Sequence, residues 1–146
     1  MVVTLKVMRK VEGKAKSAAS GCAAGPAAAG ATGAAAEDLA LAWLQQRGLT
    51  LVRRNYRVAR GPGARGGEID LILREADGTL VFCEVRARAS DRHGGAAATV
   101  GAAKQRALVF AAQHFLLTLT RLPPCRFDVV AIDGTNVEWL QGAFDA

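Results

Sequence analysis

The stretch "GGEIDLILREADGTLVFCEVRAR", residues 66–88, constrains the fold more than any other part of the chain. Two runs rich in Ile, Leu, Val and Phe flank "ADG", a short connection of the kind that closes a hairpin. Side chains alternate along a strand. In the first run this puts Ile69, Leu71 and Leu73 on one face, and Glu68, Asp70, Ile72 and Arg74 on the other. In the second, Val81, Cys83 and Val85 oppose Leu80, Phe82, Glu84 and Arg86. Pairing the runs predicts an apolar face and, opposite it, Asp70, Glu84 and Arg86 gathered beside Ile72 and Phe82. Charges in apolar surroundings are costly unless they are paired or hold an ion.

The flanking segments supply the rest of a domain. From Ala34 the spacing of Ala36, Ala40, Trp43 and Leu44 predicts a helix, and Gly48 is its stop signal. "LTLVRRNYRV" (49–58) reads as a strand, followed by the turn-rich "ARGPGARGG". Residues 89–98 read as a loop. A second helix fits Thr99 to about Thr120, with Val100, Lys104, Ala107, Ala111 and Phe115 along adjacent rows and Pro123 and Pro124 ending it. "CRFDVVAI" reads as a strand, Asp133-Gly134 as a turn and "NVEWL" as a short last strand. Helix, three strands, helix, two strands is the order of an α/β sandwich around a mixed sheet.

Residues 1–32 differ in kind. They are rich in Ala and Gly and broken by Gly13, Gly21, Gly25, Pro26 and Gly30, which reads as a flexible basic extension before a domain at 33–146. The formal charge is +6, and residues 1–36 hold +4 of it through Lys6, Arg9, Lys10, Lys14 and Lys16 against Glu12. The domain is therefore only mildly basic, and charge alone is a weak argument for a polyanionic partner. Cys22, Cys83 and Cys125 cannot all pair and form no CxxC, which fits a reducing compartment. His93 and His114 lack zinc-ligand spacing with any cysteine. No apolar run approaches the roughly 18 residues of a membrane span. The start of the chain has no continuous apolar h-region of a secretory signal, so the expected compartment is the cytoplasm.

The carboxylate pair suits a hard divalent cation, Mg²⁺ or Mn²⁺, which takes oxygen ligands and keeps waters that can be aimed at a phosphate. Asp70, Glu84 and the Val85 carbonyl are the candidate ligands, with Glu68 as a further one and Arg86 as the adjacent cation. An acid ending one strand, then an acid-x-basic tripeptide on the next, resembles the PD-(D/E)xK nuclease superfamily. More narrowly, the chain resembles the YraN family, bacterial proteins of uncharacterised role related to archaeal Holliday-junction resolvases. The residues that carry this are Glu37 in "GAAAEDLALAWL", then "RNYRV", "GEIDLI", "FCEVRAR", "VGAAK" and "RFDVV", from about residue 33 onward.

The resemblance implies a restriction-endonuclease-like three-layer sandwich, a central mixed sheet flanked by helices. It implies that Asp70 and Glu84 bind metal, that Glu37 reaches the same site from the first helix, and that the protein acts on nucleic acid, DNA above all, with a homodimer as in related resolvases. One departure matters. Where the family has lysine the chain has Arg86, which stays protonated and is a poor general base. Lys104 on the second helix is the candidate for the missing lysine's place. Arg53, Arg54, Arg57 and Arg88 are candidate phosphate contacts, and Tyr56 a candidate stacking platform.

Plainer readings stand beside these. Asp70 and Arg86 can form a cross-strand ion pair, Glu37 can meet a helix dipole, and Lys104 can be solvated. The arginines can protect an edge strand. Asp128 pairs most simply with a basic neighbour such as Arg126. Three functions follow: a metal-dependent nuclease, a nucleic-acid-binding module that has lost cleavage through Arg86, or an interaction protein with an acidic face.

Overall fold

A computed structural model describes residues 33–88 and 100–146. Helix α1 (Gly33–Gln45) precedes strands β1 (Thr50–Val58), β2 (Gly67–Arg74) and β3 (Leu80–Arg88). Helix α2 (Ala102–Leu116) leads to β4 (Cys125–Asp133) and β5 (Asn136–Phe144). The five strands form one sheet in sequence order. β1, β2 and β3 run antiparallel, β3 and β4 are parallel with α2 in the crossover, and β5 returns antiparallel to β4. This is the expected α/β sandwich around a mixed sheet. The extension at 1–32 and the loop with His93 lie outside the described residues, as does the side chain of Arg88.

The sheet has a core on both faces. Ile72, Leu80, Phe82, Phe127 and Val129 pack with Leu108, Ala111, Ala112 and Phe115 of α2. Leu71, Leu73, Val81, Cys83, Val130 and Ile132 pack with Ala36, Ala40 and Leu44 of α1. The face holding Phe82 and Ile72 is therefore a second core surface rather than an open one. Two-sided burial also explains "CRFDVVAI", eight residues buried in succession where a half-exposed strand would alternate.

Three expectations shift in detail. α2 ends at Leu116, well before Pro123. The Thr118 hydroxyl donates to the Phe115 carbonyl at 2.7 Å, and tight turns at Thr118 and Leu119 close the last residues. β5 runs on to Phe144 because a bulge around Gly142, at φ 59°, carries it past Leu140. Phe144 then stacks on Phe127 at 4.7 Å. Finally, Ile69 packs in the α2 cluster with Ile72, not beside Leu71 and Leu73. The simple alternation fails there because the ribbon changes face at Asp70. On β1 the change falls between Arg54 and Tyr56, at Asn55, which adopts a left-handed φ of 48°. Asn tolerates that conformation better than most residues.

Gly67 sets the closeness of α2. A Cβ there would strike the Ala107 backbone carbonyl and come within 2.9 Å of the Ala111 Cβ. Helix backbone cannot yield as a flexible side chain can. Gly67→Ala is expected to lower stability by about 1–3 kcal/mol, or more if the helix lifts, read as an earlier urea midpoint at unchanged slope.

Candidate metal centre

The site forms where the sheet forks. The β2–β3 ladder ends at Leu71 opposite Cys83. Beyond it β2 stays with β1, pairing Ile69 with Tyr56 and Glu68 with Arg57. β3 stays with β4, pairing Glu84 with Val129 and Val85 with Val130. Asp70 and Glu84 are the first residues past the fork on its two arms. An amide at such a fork loses its ladder partner and must find another acceptor. The Val85 N–H donates to Asp70 Oδ2 at 2.8 Å, so the carboxylate replaces the departed strand. It is Val85's amide that this contact engages.

Glu84 is buried, with 7 % of its surface exposed. Its Oε2 lies 3.0 Å from Lys104 Nζ. Among the described residues this ammonium is the one ion-pair partner of Oε2. Burial first, then the neighbouring Asp70 carboxylate, pushes the Glu84 pKa up to about 7, against the pull of Lys104. The two carboxyl groups are near enough to interact electrostatically. Arg86, two residues along β3, is half-buried and forms no ion pair or hydrogen bond among the described residues. The cross-strand pair with Asp70 is therefore not formed.

The other expected residues gather on β1. Arg54 meets Asp38 at 2.6 Å and Glu37 at 3.8 Å, while Arg57 meets Glu68 at 2.8 Å. The hydrogen bond that Arg57 donates to Glu68, and the charge of Glu68, raise the Arg57 pKa, and the charges of Glu37 and Asp70 add to it. Glu37 and Glu68 therefore face the same electrostatic neighbourhood as Asp70 but are held by arginines. No group of three or more His, Cys, Asp or Glu able to hold a metal exists among the described residues. Arg53 is exposed without a partner there. The Tyr56 ring packs edge-on against Phe115, centroids 5.4 Å apart, so it is engaged in the core rather than free as a platform.

Asp128 has the structural role expected of it. It accepts from Arg126 Nε at 2.9 Å, Trp139 Nε1 at 2.9 Å and the Gly142 amide at 3.0 Å. Arg126 also reaches both oxygens of Glu75, at 2.9 and 2.7 Å. Glu75 is the partner that a strand pattern could not reveal, because it lies 51 residues away in the hairpin turn.

Residues 36–132 match the profile of the uncharacterised protein family UPF0102, and with them the fork, Lys104 and Arg126. The chain belongs to that family. A UPF0102 protein of Methylibium petroleiphilum is 62% identical over 116 residues, covering 80% of this chain and 95% of that one. One from Paracidovorax citrulli is 64% identical, covering 80% and 84%, and one from Cupriavidus taiwanensis 59% identical, covering 80% and 84%. The UPF0102 match takes in both arms of the fork and the helix that carries Lys104. Among the described residues no helix is long and apolar enough to cross a membrane.

The donor set fits a hard divalent ion. It consists of carboxylate oxygens from two strands, with the buried Glu84 Oε2 met at 3.0 Å only by the partly exposed Lys104 among the described residues. Carboxylate and water ligation suits Mg²⁺ and Mn²⁺ rather than zinc or copper.

Proposed function

We propose that the chain is a Mg²⁺- or Mn²⁺-dependent nuclease-like protein that hydrolyses phosphodiesters in nucleic acid, DNA above all. One observation supports this most directly. Asp70 and Glu84 converge where the sheet forks, and among the described residues the buried Glu84 Oε2 has one partner, the partly exposed Lys104 ammonium at 3.0 Å. Two neighbouring carboxylates in apolar surroundings are costly for stability unless they are paired or hold an ion.

Asp70 and Glu84 are the residues that would hold the ion. When bound, such an ion activates water and offsets charge developing on the phosphate. Asp70 keeps its orientation because the Val85 amide fixes one oxygen. Arg86, two residues from Glu84 and without an ion pair or hydrogen bond among the described residues, serves as a phosphate clamp. It cannot take a proton from water, because arginine stays charged in proteins. Arg53 supplies a further cation on the exposed edge strand.

A second reading is a nucleic-acid-binding module without cleavage. It is favoured by Arg86 and by the absence of a third carboxylate at the fork among the described residues. Incubating the protein with branched, flapped and linear DNA in Mg²⁺ or Mn²⁺ separates the two. Cleavage lost in Asp70→Ala supports the nuclease. Retention of DNA without cleavage in either ion, weakening steeply with salt, supports the module. Neither cleavage nor binding would remove both.

A further inference from the structure

We propose that Lys104 is the resident counter-ion of the fork: its ammonium holds the place of positive charge that a divalent cation takes, and the cation displaces it from Glu84. The inference rests on the metal-centre reading above and adds a regulatory role for a residue of α2.

The placement of Lys104 is unfavourable for its own helix. It is the third residue of α2, whose first turn contains no acidic side chain and whose Gly101 N-cap makes no side-chain hydrogen bond. The helix dipole disfavours a cation there, and an acid would be the stabilising choice. What compensates lies outside the helix: Glu84 Oε2, 3.0 Å away on β3. The position thus serves the fork rather than α2.

The pair is also unlike a structural ion pair. Elsewhere in the same sheet, Arg126 is met in hydrogen-bonding geometry by both oxygens of Glu75 and both of Asp128. At the fork, one partly exposed ammonium meets a single oxygen of Glu84 at 3.0 Å, with the Asp70 carboxylate as Glu84's other charged neighbour. The fork is left under-compensated. A doubly charged ion bound by both carboxylates offsets more negative charge than one ammonium does.

Displacement would cost Lys104 little. Its side chain is 36% exposed, and its four-carbon stem can swing the ammonium into water while the stem stays on the surface. Lysine is suited to this because its charge sits at the end of a flexible stem, whereas a planar guanidinium would lock onto the carboxylate. The released ammonium then joins Arg86 as a second cation for a phosphate. In the resting protein the same lysine keeps the fork neutralised and competes with divalent ions.

The test is Mn²⁺ titrated calorimetrically into the full chain and into Lys104→Met, Lys104→Gln and Lys104→Arg at one pH and ionic strength. Circular dichroism melts establish that each variant is folded. Lys104→Met and Lys104→Gln are expected to bind Mn²⁺ roughly tenfold more tightly, about 1.4 kcal/mol of relieved repulsion. Lys104→Arg is expected to bind no more tightly than the parent. In the parent, saturating Mg²⁺ should move the Lys104 side-chain NMR signals to those of a solvated lysine. Equal or weaker Mn²⁺ binding in the neutral variants, with clear binding by the parent, would overturn the displacement and leave the metal centre standing. No Mn²⁺ binding by the parent or by any folded variant would overturn both. Should the neutral variants fail to fold, unchanged Lys104 signals at saturating Mg²⁺ would overturn the displacement on their own.

Discussion

Arg126→Met is expected to lower the unfolding free energy by about 3–5 kcal/mol, because it strands a buried carboxylate. Asp128 is 1 % exposed, and Arg126 donates to both of its oxygens at 2.9 and 3.2 Å. Methionine fills the space of the stem and removes every charge partner. Trp139 and Gly142 would still donate to Asp128, so the loss is chiefly electrostatic. Glu75 fares better, since a quarter of its side chain reaches water. Glu75→Gln should therefore cost clearly less than Arg126→Met. The pH dependence identifies the cause. Burial pushes the Asp128 pKa up, while Arg126 holds it down. Burial already leaves the folded carboxyl titrating above its ordinary value, and without Arg126 it rises further, so the folded state binds the extra proton. The penalty should then shrink as pH falls and be fully present above the folded pKa. Urea melts at pH 5 and pH 7 measure this. A penalty unchanged between the two, or below about 1 kcal/mol, would show that Asp128 does not depend on its cation.

Much of this architecture could be read from local patterns. Element order follows from hydrophobic periodicity and from breakers such as Gly48, whose φ of 90° marks the end of the α1 turn. The convergence of Asp70 and Glu84 follows from hairpin register, since Leu71 opposite Cys83 brings the next residues face to face. What alternation could not give was the fork itself. A strand's sequence does not state when its neighbour leaves, so alternation puts Ile69 beside Leu71 although it packs with Ile72 against α2. Asn55 was the available signal, a residue tolerant of left-handed backbone in the middle of a strand. The pairing of Glu37 and Glu68 with β1 arginines depends on which of several nearby opposite charges meet, and that is settled by tertiary geometry. Spacing alone does not single out Lys104, although a lysine in the first turn of a helix without acids is itself a sign of an external partner.

If the proposed nuclease reading holds, Glu84→Gln should raise stability and strongly lower cleavage together, a combination that a structural ion pair would not produce. In the metal-free protein Glu84 has its pKa raised from 4.5 to about 7 by burial and by Asp70. A carboxyl whose folded pKa lies above its unfolded value binds the extra proton in the folded state. Its contribution is thus most favourable below about pH 4.5 and is lost as pH rises through about 7. The full rise sets a ceiling of about 3 kcal/mol, which partial solvent access and Lys104 reduce to about 1–2 kcal/mol. Glutamine carries no charge to desolvate and removes that penalty. Lys104, partly exposed, can return to water. At pH 8 the variant should therefore be about 1–2 kcal/mol more stable than the parent, with the difference vanishing near pH 4. Cleavage in Mg²⁺ should fall by about a hundredfold or more, since an amide is a poor ligand for a hard cation. Stability gained where activity is lost is the mark of a group kept for function. Were Glu84 there only to hold Lys104 to the sheet, Glu84→Gln would lower stability at pH 8, and urea melts across pH 4–8 would show that sign.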